Sequence, residues 1–277
     1  MGLTCPVCSA ESVLERQTVE ADLWRCPSCD HCFSDIDSIG PLEDYSSRYF
    51  EETHGAWFRN PNVALFDAIS TFIVQNKPGA SLIDLGCGNG DFLRHLRRKQ
   101  IEVSLTGIDI VENQPAEGIT FLTGDALSMN FGRQYDVIVS LAVIEHVADV
   151  QMFMKRLHSL CAPSGYVIIM TVNERSILFE AAKMLHKLGV TSPCDRLYSK
   201  HHLNHFNSSS LRRLIEVNDF EINKIMPHNA PIAAIDFMSY SKITTAFLRA
   251  GVMATFLLGS LTGRSYQQTI ICQKKPK

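Results

Sequence analysis

Long uncharged runs are nearly missing from this 277-residue chain. In the apolar stretch near the carboxy end the longest, residues 250–263, has 14 residues, short of the roughly 20 that cross a bilayer as a helix. No spanning segment is expected. A basic surplus is also missing: 26 Lys and Arg stand against 29 Asp and Glu, for a net charge of −3. The first 55 residues hold only three basic side chains (Arg16, Arg25, Arg48) against eleven acids. Phosphate binding depends on Lys and Arg, so no nucleic-acid partner is expected. The opening Met-Gly-Leu-Thr-Cys-Pro lacks the basic and apolar stretches of a secretory leader. Pro6 also spoils a lipidation signal at Gly2. Cysteine is sparse beyond residue 32. Of nine, only Cys87, Cys161, Cys194 and Cys272 lie further on, and they read as small apolar side chains. A reducing, cytoplasmic setting is expected rather than a disulfide framework. Composition is otherwise ordinary, 45% hydrophobic and 20% charged, enough for one buried domain with an accessory unit.

The other five cysteines are crowded together. Cys5-Pro-Val-Cys8 and Cys26-Pro-Ser-Cys29 are two C-x-x-C pairs separated by 17 residues, a spacing that suits a four-cysteine zinc site. Each pair forms a knuckle that places two thiolates on one tetrahedral ion. Residues 12–24 are expected to make the connecting hairpin. Cys32 and His31 compete as fourth ligands, but the paired knuckles are the simpler set. Paired redox dithiols would need a βαβ context that is missing here. A unit this small, residues 1–40, has too little core to fold without metal. Structural zinc supplies roughly 10–16 kcal/mol in isolated zinc peptides.

The richest stretch is Leu-Ile-Asp-Leu-Gly-Cys-Gly-Asn-Gly at residues 82–90. An apolar run over 81–85 meets three alternating glycines, Gly86, Gly88 and Gly90, and a helical pattern over 91–99 follows. This is strand, tight turn and helix, where an α/β sheet holds a nucleoside-containing ligand. Side chains at the glycines would block backbone contact with that ligand. A dinucleotide turn, G-x-G-x-x-G, would put its third glycine at Asp91. A second strand over 103–108 ends in Asp109, followed by Ile110. An acid there can accept bonds from both ribose hydroxyls. A third strand over 119–122 leads to Gly124, Asp125 and Ala126. A fourth, over 135–140, leads to Leu141-Ala-Val-Ile-Glu145-His146-Val147. A helix over 150–160 and a fifth strand over 165–171 complete the pattern.

The turn D-x-G-x-G-x-G resembles the first motif of class I S-adenosylmethionine (SAM)-dependent methyltransferases. Residues 141–147 resemble the motif after strand four in the ubiquinone-biosynthesis O-methyltransferases. The resemblance covers about residues 44–225 and 265–273. It implies a doubly wound, seven-stranded Rossmann-like α/β sheet with the small zinc ribbon in front, over residues 41–277. It implies SAM as cofactor, held by Asp84, Gly86, the Cys87 backbone, Gly88, Gly90, Asp109 and Ile110. Asp125, with Ala126, would bond the adenine amino group, and Leu141 would pack near adenine or methionine. The methionine carboxylate would sit at the helix start after Gly90. His146 is the expected base, with Glu145 orienting it or holding a metal. Alternatively, this pair caps the next helix and shapes the pocket. Residues 44–50, with Tyr45 and Tyr49, resemble the Tyr-rich segment of zinc-ribbon methyltransferases that modify small molecules, sugars or lipids. They close over the cofactor or pack the ribbon, together with a helix over 62–75. Ribbon-bearing rRNA methyltransferases match poorly outside the cysteines.

Beyond strand five, a helix over 176–188 precedes Lys200-His201-His202-Leu-Asn-His205. These histidines are an alternative source of a base, or a second metal site through His201 and His205. A helix capped by Ser starts near 208, and strands are expected over 220–225 and 265–273. Between them, residues 228–264 form an apolar helical insert. From residue 231 onward the chain has six basic side chains and one acid, Asp236. Residues 231–262 read as a cap, an oligomer interface or a peripheral membrane contact. The expected activity is methyl transfer from SAM to a small-molecule, sugar or lipid-linked acceptor at oxygen. The alternatives are an rRNA or tRNA methyltransferase and a non-catalytic SAM-binding scaffold.

Overall fold

The computed structural model describes residues 2–39, 55–235 and 241–276. The segment 44–50 with Tyr45 and Tyr49 lies outside the described residues, as does Asp236. Strand β1 (Val13–Gln17) turns into β2 (Asp22–Arg25), and β3 (Cys32–Ser34) pairs antiparallel with β2. The hairpin expected over 12–24 is thus formed. Helices α1 (Gly55–Arg59) and α2 (Val63–Asn76) lead into the main sheet. Asn62 caps α2 by accepting the Leu65 N–H at 3.1 Å, which leaves Val63 as the first helical residue.

The main sheet takes β4 (Ser81–Leu85), β5 (Ser104–Asp109), β6 (Ile119–Thr123), β7 (Tyr135–Leu141) and β8 (Cys161–Val172). Helix α3 (Asp91–Arg98) follows β4, and α4 (Val150–Leu160) precedes β8. Then come α5 (Ile177–Lys187), α6 (Ser192–Leu197), the short β9 (Asn204–His205) and α7 (Ser208–Val217). The chain closes with β10 (Phe220–His228), α8 (Lys242–Thr262) and β11 (Gln267–Lys274). The order in the seven-stranded sheet is β10-β11-β8-β7-β4-β5-β6. Only β11 runs against its neighbours. Successive connections leave β4 toward β5 on one side and β7 on the other, so a crevice opens at the carboxyl ends of these strands.

The central strands read as continuous apolar runs because both faces are covered. Leu82, Val137, Val139 and Ile168 enter one core with Ile69 of α2. Their neighbours Ile83, Ile138 and Ile169 enter the other with Phe153 of α4. This alternation is the two-residue period of a strand. Strand β8 starts four residues before its expected position, since Cys161 already opposes Tyr135. Strand β10 runs on to His228 because β11 offers it partners as far as Gln267. Helix α7 is capped by Asn207 rather than Ser. Asn207 accepts the Ser210 N–H at 2.9 Å while Ser210 Oγ accepts the Asn207 N–H at 3.1 Å, a reciprocal capping box.

Strand β9 and Glu174 are among the features that tie the ribbon to the main domain. Strand β9 completes the ribbon sheet, with Cys32 opposite His205 and Phe33 opposite Asn204. Glu174, fully buried just after β8, accepts bonds from Arg25 Nη2 at 2.7 Å, Lys183 Nζ at 3.0 Å and the Tyr198 hydroxyl at 2.6 Å. Burial raises its pKa, but Arg25 and Lys183 outweigh it and hold the carboxylate below its ordinary value.

Within the insert, α8 runs across Arg249 without a break. Ile243–Thr262 is long and apolar enough, by length and composition, to span a bilayer. This corrects the expectation drawn from the 14-residue uncharged run. The inner face of α8 is anchored, however. Phe256 stacks on Tyr266 at 5.7 Å, and Asn229 Nδ2 donates to the Phe256 carbonyl at 3.1 Å.

Replacing Glu174 with Gln should lower stability by about 3 kcal/mol, the usual result of breaking a buried ion pair from one side. Urea unfolding measures it, and a loss below about 1 kcal/mol would refute the assignment. Because the folded carboxylate has a lowered pKa, its contribution is complete above the ordinary Glu range. It is lost as pH falls below that range.

Candidate active site

At the end of β4 the chain turns through residues 86–90. Gly86 and Cys87 both donate N–H bonds to the Ile108 carbonyl, at 2.9 and 3.0 Å. The Gly88 N–H donates to Asp109 Oδ2 at 2.7 Å, and Asn113 Nδ2 donates to the Gly88 carbonyl at 2.8 Å. Gly86 and Gly88 have φ of +72° and +52°, which disfavours any other residue. Crowding adds to this. A Cβ at Gly86 would lie 2.5 Å from Val143 Cγ2, and one at Gly88 would lie 2.9 Å from Phe58 Cε1. The glycines therefore also make room for this chain's own side chains, a reason that sequence spacing did not carry. Gly90 sits at the N-terminus of α3.

The acids of the crevice differ in surroundings. Asp84 is buried, and its Oδ1 has no partner among the described residues. Burial, then the charge of Asp109, pushes its pKa up to about 8. Asp109 is also raised by burial, against the N–H bonds from Val111 and Gly88. Asp125 is exposed and spends its oxygens locally, on the Leu127 N–H at 2.9 Å and the Ser128 hydroxyl at 3.0 Å. The Ala126 carbonyl accepts Arg156 Nε at 3.0 Å. Ile110 is half exposed, and Leu141 is half-buried against the core. A cavity of about 240 Å³ nearby is lined by Glu112, Asn113, Phe121 and Thr123, among others. None of the residues expected to hold cofactor lines it. The unpartnered Asp84 oxygen and the tight turn fit a ligand that brings cationic and hydrogen-bonding groups, as SAM does.

After β7 the backbone passes through Ala142 at φ +58°, a conformation uncommon for a residue with a Cβ. A short 3₁₀ turn, Ile144–His146, follows. Glu145 is buried and its Oε2 accepts the Thr171 hydroxyl at 2.8 Å. Burial pushes its pKa up to about 7, against backbone and Thr171 hydrogen bonds. His146 Nδ1–H donates to the His201 carbonyl at 2.7 Å, which makes Nε2 the basic nitrogen. The His202 ring lies edge-on, 4.8 Å from the His146 ring. Ligand atoms of Glu145, His146 and His202 all lie within 4.8 Å of one another. Such a set can relay a proton or hold a divalent cation. Of the three histidines between 201 and 205, the described cluster takes His202 rather than His201 or His205. His205 is fully buried on β9 with Nε2 3.2 Å from Ser34 Oγ. His202 is the one that meets the carboxylate, and the four-residue spacing gave no hint of it.

In the ribbon, Cys5 and Cys29 Sγ are 3.6 Å apart and Cys8 and Cys26 Sγ 3.4 Å apart. All four lie within 4.8 Å. Tetrahedral zinc with Zn–S bonds of about 2.3 Å needs sulfurs about 3.8 Å apart, so the set fits the ion. Neither alternative ligand joins it. Cys32 is buried in β3, and the His31 ring packs 4.7 Å from Phe206 with Nε2 3.1 Å from Asn204 Oδ1.

In the unliganded protein Asp84 should contribute a loss of stability as pH rises from about 4 to about 8, set against the buried His31, His205 and His228, whose lowered pKa values act in the opposite sense up to their ordinary 6.5. Folded Asp84 keeps its proton up to about 8, whereas its ordinary value is 3.8, so the folded state binds the extra proton in that window. Glu145 adds to the same slope. Asp84→Asn should flatten it, and urea midpoints that change with pH equally in variant and parent would rule this out.

Comparison with known proteins agrees with this geometry. A family model described as a methyltransferase domain matches residues 55–225. The ubiquinone biosynthesis O-methyltransferase of Rickettsia bellii is 28% identical over 156 residues, covering 52% of this chain and 62% of that protein. The mitochondrial ubiquinone biosynthesis O-methyltransferase of Arabidopsis thaliana is 32% identical over 108 residues, covering 34% of this chain and 33% of that protein. The chain thus spans about three-fifths or less of the length of these relatives. Among solved structures, phosphoethanolamine N-methyltransferase 2 of Haemonchus contortus, in complex with SAM, aligns with a TM-score of 0.56 at 15% identity. It covers 87% of this chain and 62% of that one. Magnesium protoporphyrin IX methyltransferase from Synechocystis PCC 6803 aligns with a TM-score of 0.51 at 16% identity, covering 82% and 97%. These structural likenesses concern the fold. The chain belongs to the methyltransferase domain family, with the fold of the SAM-dependent methyltransferases.

Proposed function

We propose that this protein is a SAM-dependent O-methyltransferase acting on a small amphiphilic, lipid-linked or sugar acceptor. Residues 1–40 are a structural zinc ribbon bound through Cys5, Cys8, Cys26 and Cys29, and residues 41–277 form the catalytic domain. The observation that carries this reading is the locked imidazole of His146. Its Nδ1 proton is fixed on the His201 carbonyl, beside the buried Glu145, at the same sheet edge as the glycine turn. The names of the curated relatives favour oxygen as the methylated atom.

Bound SAM would supply an electrophilic methyl group on its sulfonium. Asp84, the turn of Gly86, Cys87, Gly88 and Gly90, and Asp109 with Ile110 would hold it. Asp125, Ala126 and Leu141 would border its adenine side. His146 Nε2 would take the proton from the acceptor hydroxyl. Glu145, once ionised, would stabilise the imidazolium. The surroundings would hold the acceptor in line. A nucleic-acid acceptor is disfavoured by the acidic ribbon. A non-catalytic scaffold would have no need of a fixed His146 tautomer.

Helix α8 supports an acceptor delivered from an anionic lipid surface. Ile243, Phe247, Leu257 and Leu261 recur at helical spacing and are 63–75% exposed, an apolar stripe facing away from the body. Helix α5, packed against α8, adds Met184 and Leu188. Every charged side chain from residue 241 onward is basic, which complements anionic headgroups. A second copy would bring like charges together. Asn62 and Asn229 link α2, β10 and α8 at the carboxyl edge of the sheet, the edge that carries the site. The anchored Phe256 face favours lying on the surface over crossing it.

His146→Ala should lower kcat by about 10²–10⁴ and leave S-adenosylhomocysteine affinity unchanged. The assay is transfer of labelled methyl from SAM to a panel of hydroxylated lipids, sugars and aromatics. Full turnover in the variant would sink the role of His146. Co-sedimentation tests the surface. Wild type should pellet with anionic vesicles and far less with neutral ones, and Phe247→Glu with Leu257→Glu should abolish this. A dimer disrupted by those substitutions, with no vesicle binding, would replace the lipid surface with a second copy.

A further inference from the structure

The ribbon reaches the acceptor side of the site through one short segment, residues 201–207. One edge of that segment is bonded to the ribbon. Strand β9 pairs with β3, the Ser34 N–H donates to the Leu203 carbonyl at 2.9 Å, and Ser34 Oγ donates to the His202 carbonyl at 3.1 Å. The other edge is bonded to the turn after β7. The Leu203 N–H donates to the Glu145 carbonyl at 2.7 Å, and the His201 carbonyl accepts His146 Nδ1–H at 2.7 Å. Asn204 joins the two sides within a single side chain. Its Oδ1 accepts from His31 Nε2 at 3.1 Å and its Nδ2 donates to the Val147 carbonyl at 2.7 Å. His31 stands two residues past Cys29.

We infer that the ribbon is a positioning device for Glu145, His146 and His202, with Asn204 as its central residue, and that metal loading of the four cysteines governs the alignment of this trio. This rests on the proposed roles of Glu145 and His146. The hydrogen bonds that hold the backbone of the glycine turn come from Ile108, Asp109 and Asn113, all on the opposite side of β4, and among the described residues only Val143 packs on the turn from the side of β7. Metal loss therefore acts on the acceptor side and spares the cofactor side. The physical route is local. Without the ion the Cys26–Cys29 knuckle and β3 lose their order, and β9 loses one of its two bonded edges. The segment 201–207 then opens below the global unfolding limit. The His201 carbonyl that fixes the His146 tautomer goes with it.

The test uses the full chain in three forms: zinc-loaded, stripped by chelator with zinc restored as a control, and zinc-loaded Asn204→Ala. Hydrogen exchange at the Leu203 amide and the NMR tautomer signature of His146 are read beside calorimetric S-adenosylhomocysteine affinity. In both the stripped protein and Asn204→Ala, Leu203 exchange should rise at least tenfold and His146 should lose its single tautomer. Cofactor affinity should stay within threefold, and restored zinc should reverse the stripped state. Unchanged Leu203 protection in either altered form would overturn the inference. So would a joint collapse of cofactor binding and protection, which would make the ribbon a general stabiliser. These readouts need no acceptor, so a failed search for methyl transfer would count against the proposed activity and not against the positioning device. Once an acceptor is known, Asn204→Ala should lower kcat more than it changes KM for SAM.

Discussion

A parallel sheet must return every strand through a crossover, and each crossover covers one face. Where successive crossovers change direction, at β4, neither covers the gap between the carboxyl ends of β4 and β7. The candidate active site gathers at that gap. The glycine turn, Asp84, Asp109, the strained Ala142 and the Glu145–His146 pair are all placed by it. The ribbon, the lead-in helices and the insert are best understood as structures that finish its rim.

The rim is built from carboxylates whose environments differ sharply. Glu174 has three cations, Arg25, Lys183 and Arg175, and a phenol against it, and it stays ionised while fully buried. Asp84, close to Asp109, is pushed up to about 8 by burial and that neighbouring charge, with no cation against it among the described residues. Glu145 has backbone and Thr171 hydrogen bonds against its burial and is pushed up to about 7. Burial alone would raise all three, so their differences come from the partners supplied by neighbouring elements. A chemically useful edge results. The structural acid is spent on holding the ribbon, and those beside the proposed site retain protonation equilibria that a ligand can shift.

Much of this was legible in the chain. Strand–turn–helix at 81–99, helix 150–160 and the strand ends, expected at 108, 122 and 140 and found one residue later, follow from local apolar patterning and the turn residues, which act over a few positions. The four ribbon thiols were legible for the same reason, since C-x-x-C spacing is local geometry. What failed to show was set by distance along the chain. Nothing near residue 202 says that it meets residue 146, and His201 with His205 made the more regular pattern. Asn207, not Ser, caps α7, because an Asn in extended backbone forms the reciprocal bond that Ser210 completes. The reach of α8 was underestimated because charge, taken alone, cuts the sequence at Arg249, whereas a helix carries one exposed Arg without interruption.

Strand β9 has a consequence for how the molecule is made. The ribbon lies at the amino end, yet the last strand of its sheet is Asn204–His205. A chain emerging from the ribosome presents β3 as an open edge while the whole central sheet is still being synthesised. The ribbon is thus translated before the central sheet and completed only after most of that sheet has been made. Early metal capture would hold its knuckles together during that interval, and the edge closes only when the segment bearing His202 docks. Assembly of the ribbon and assembly of the acceptor side of the site are in this sense one event in folding.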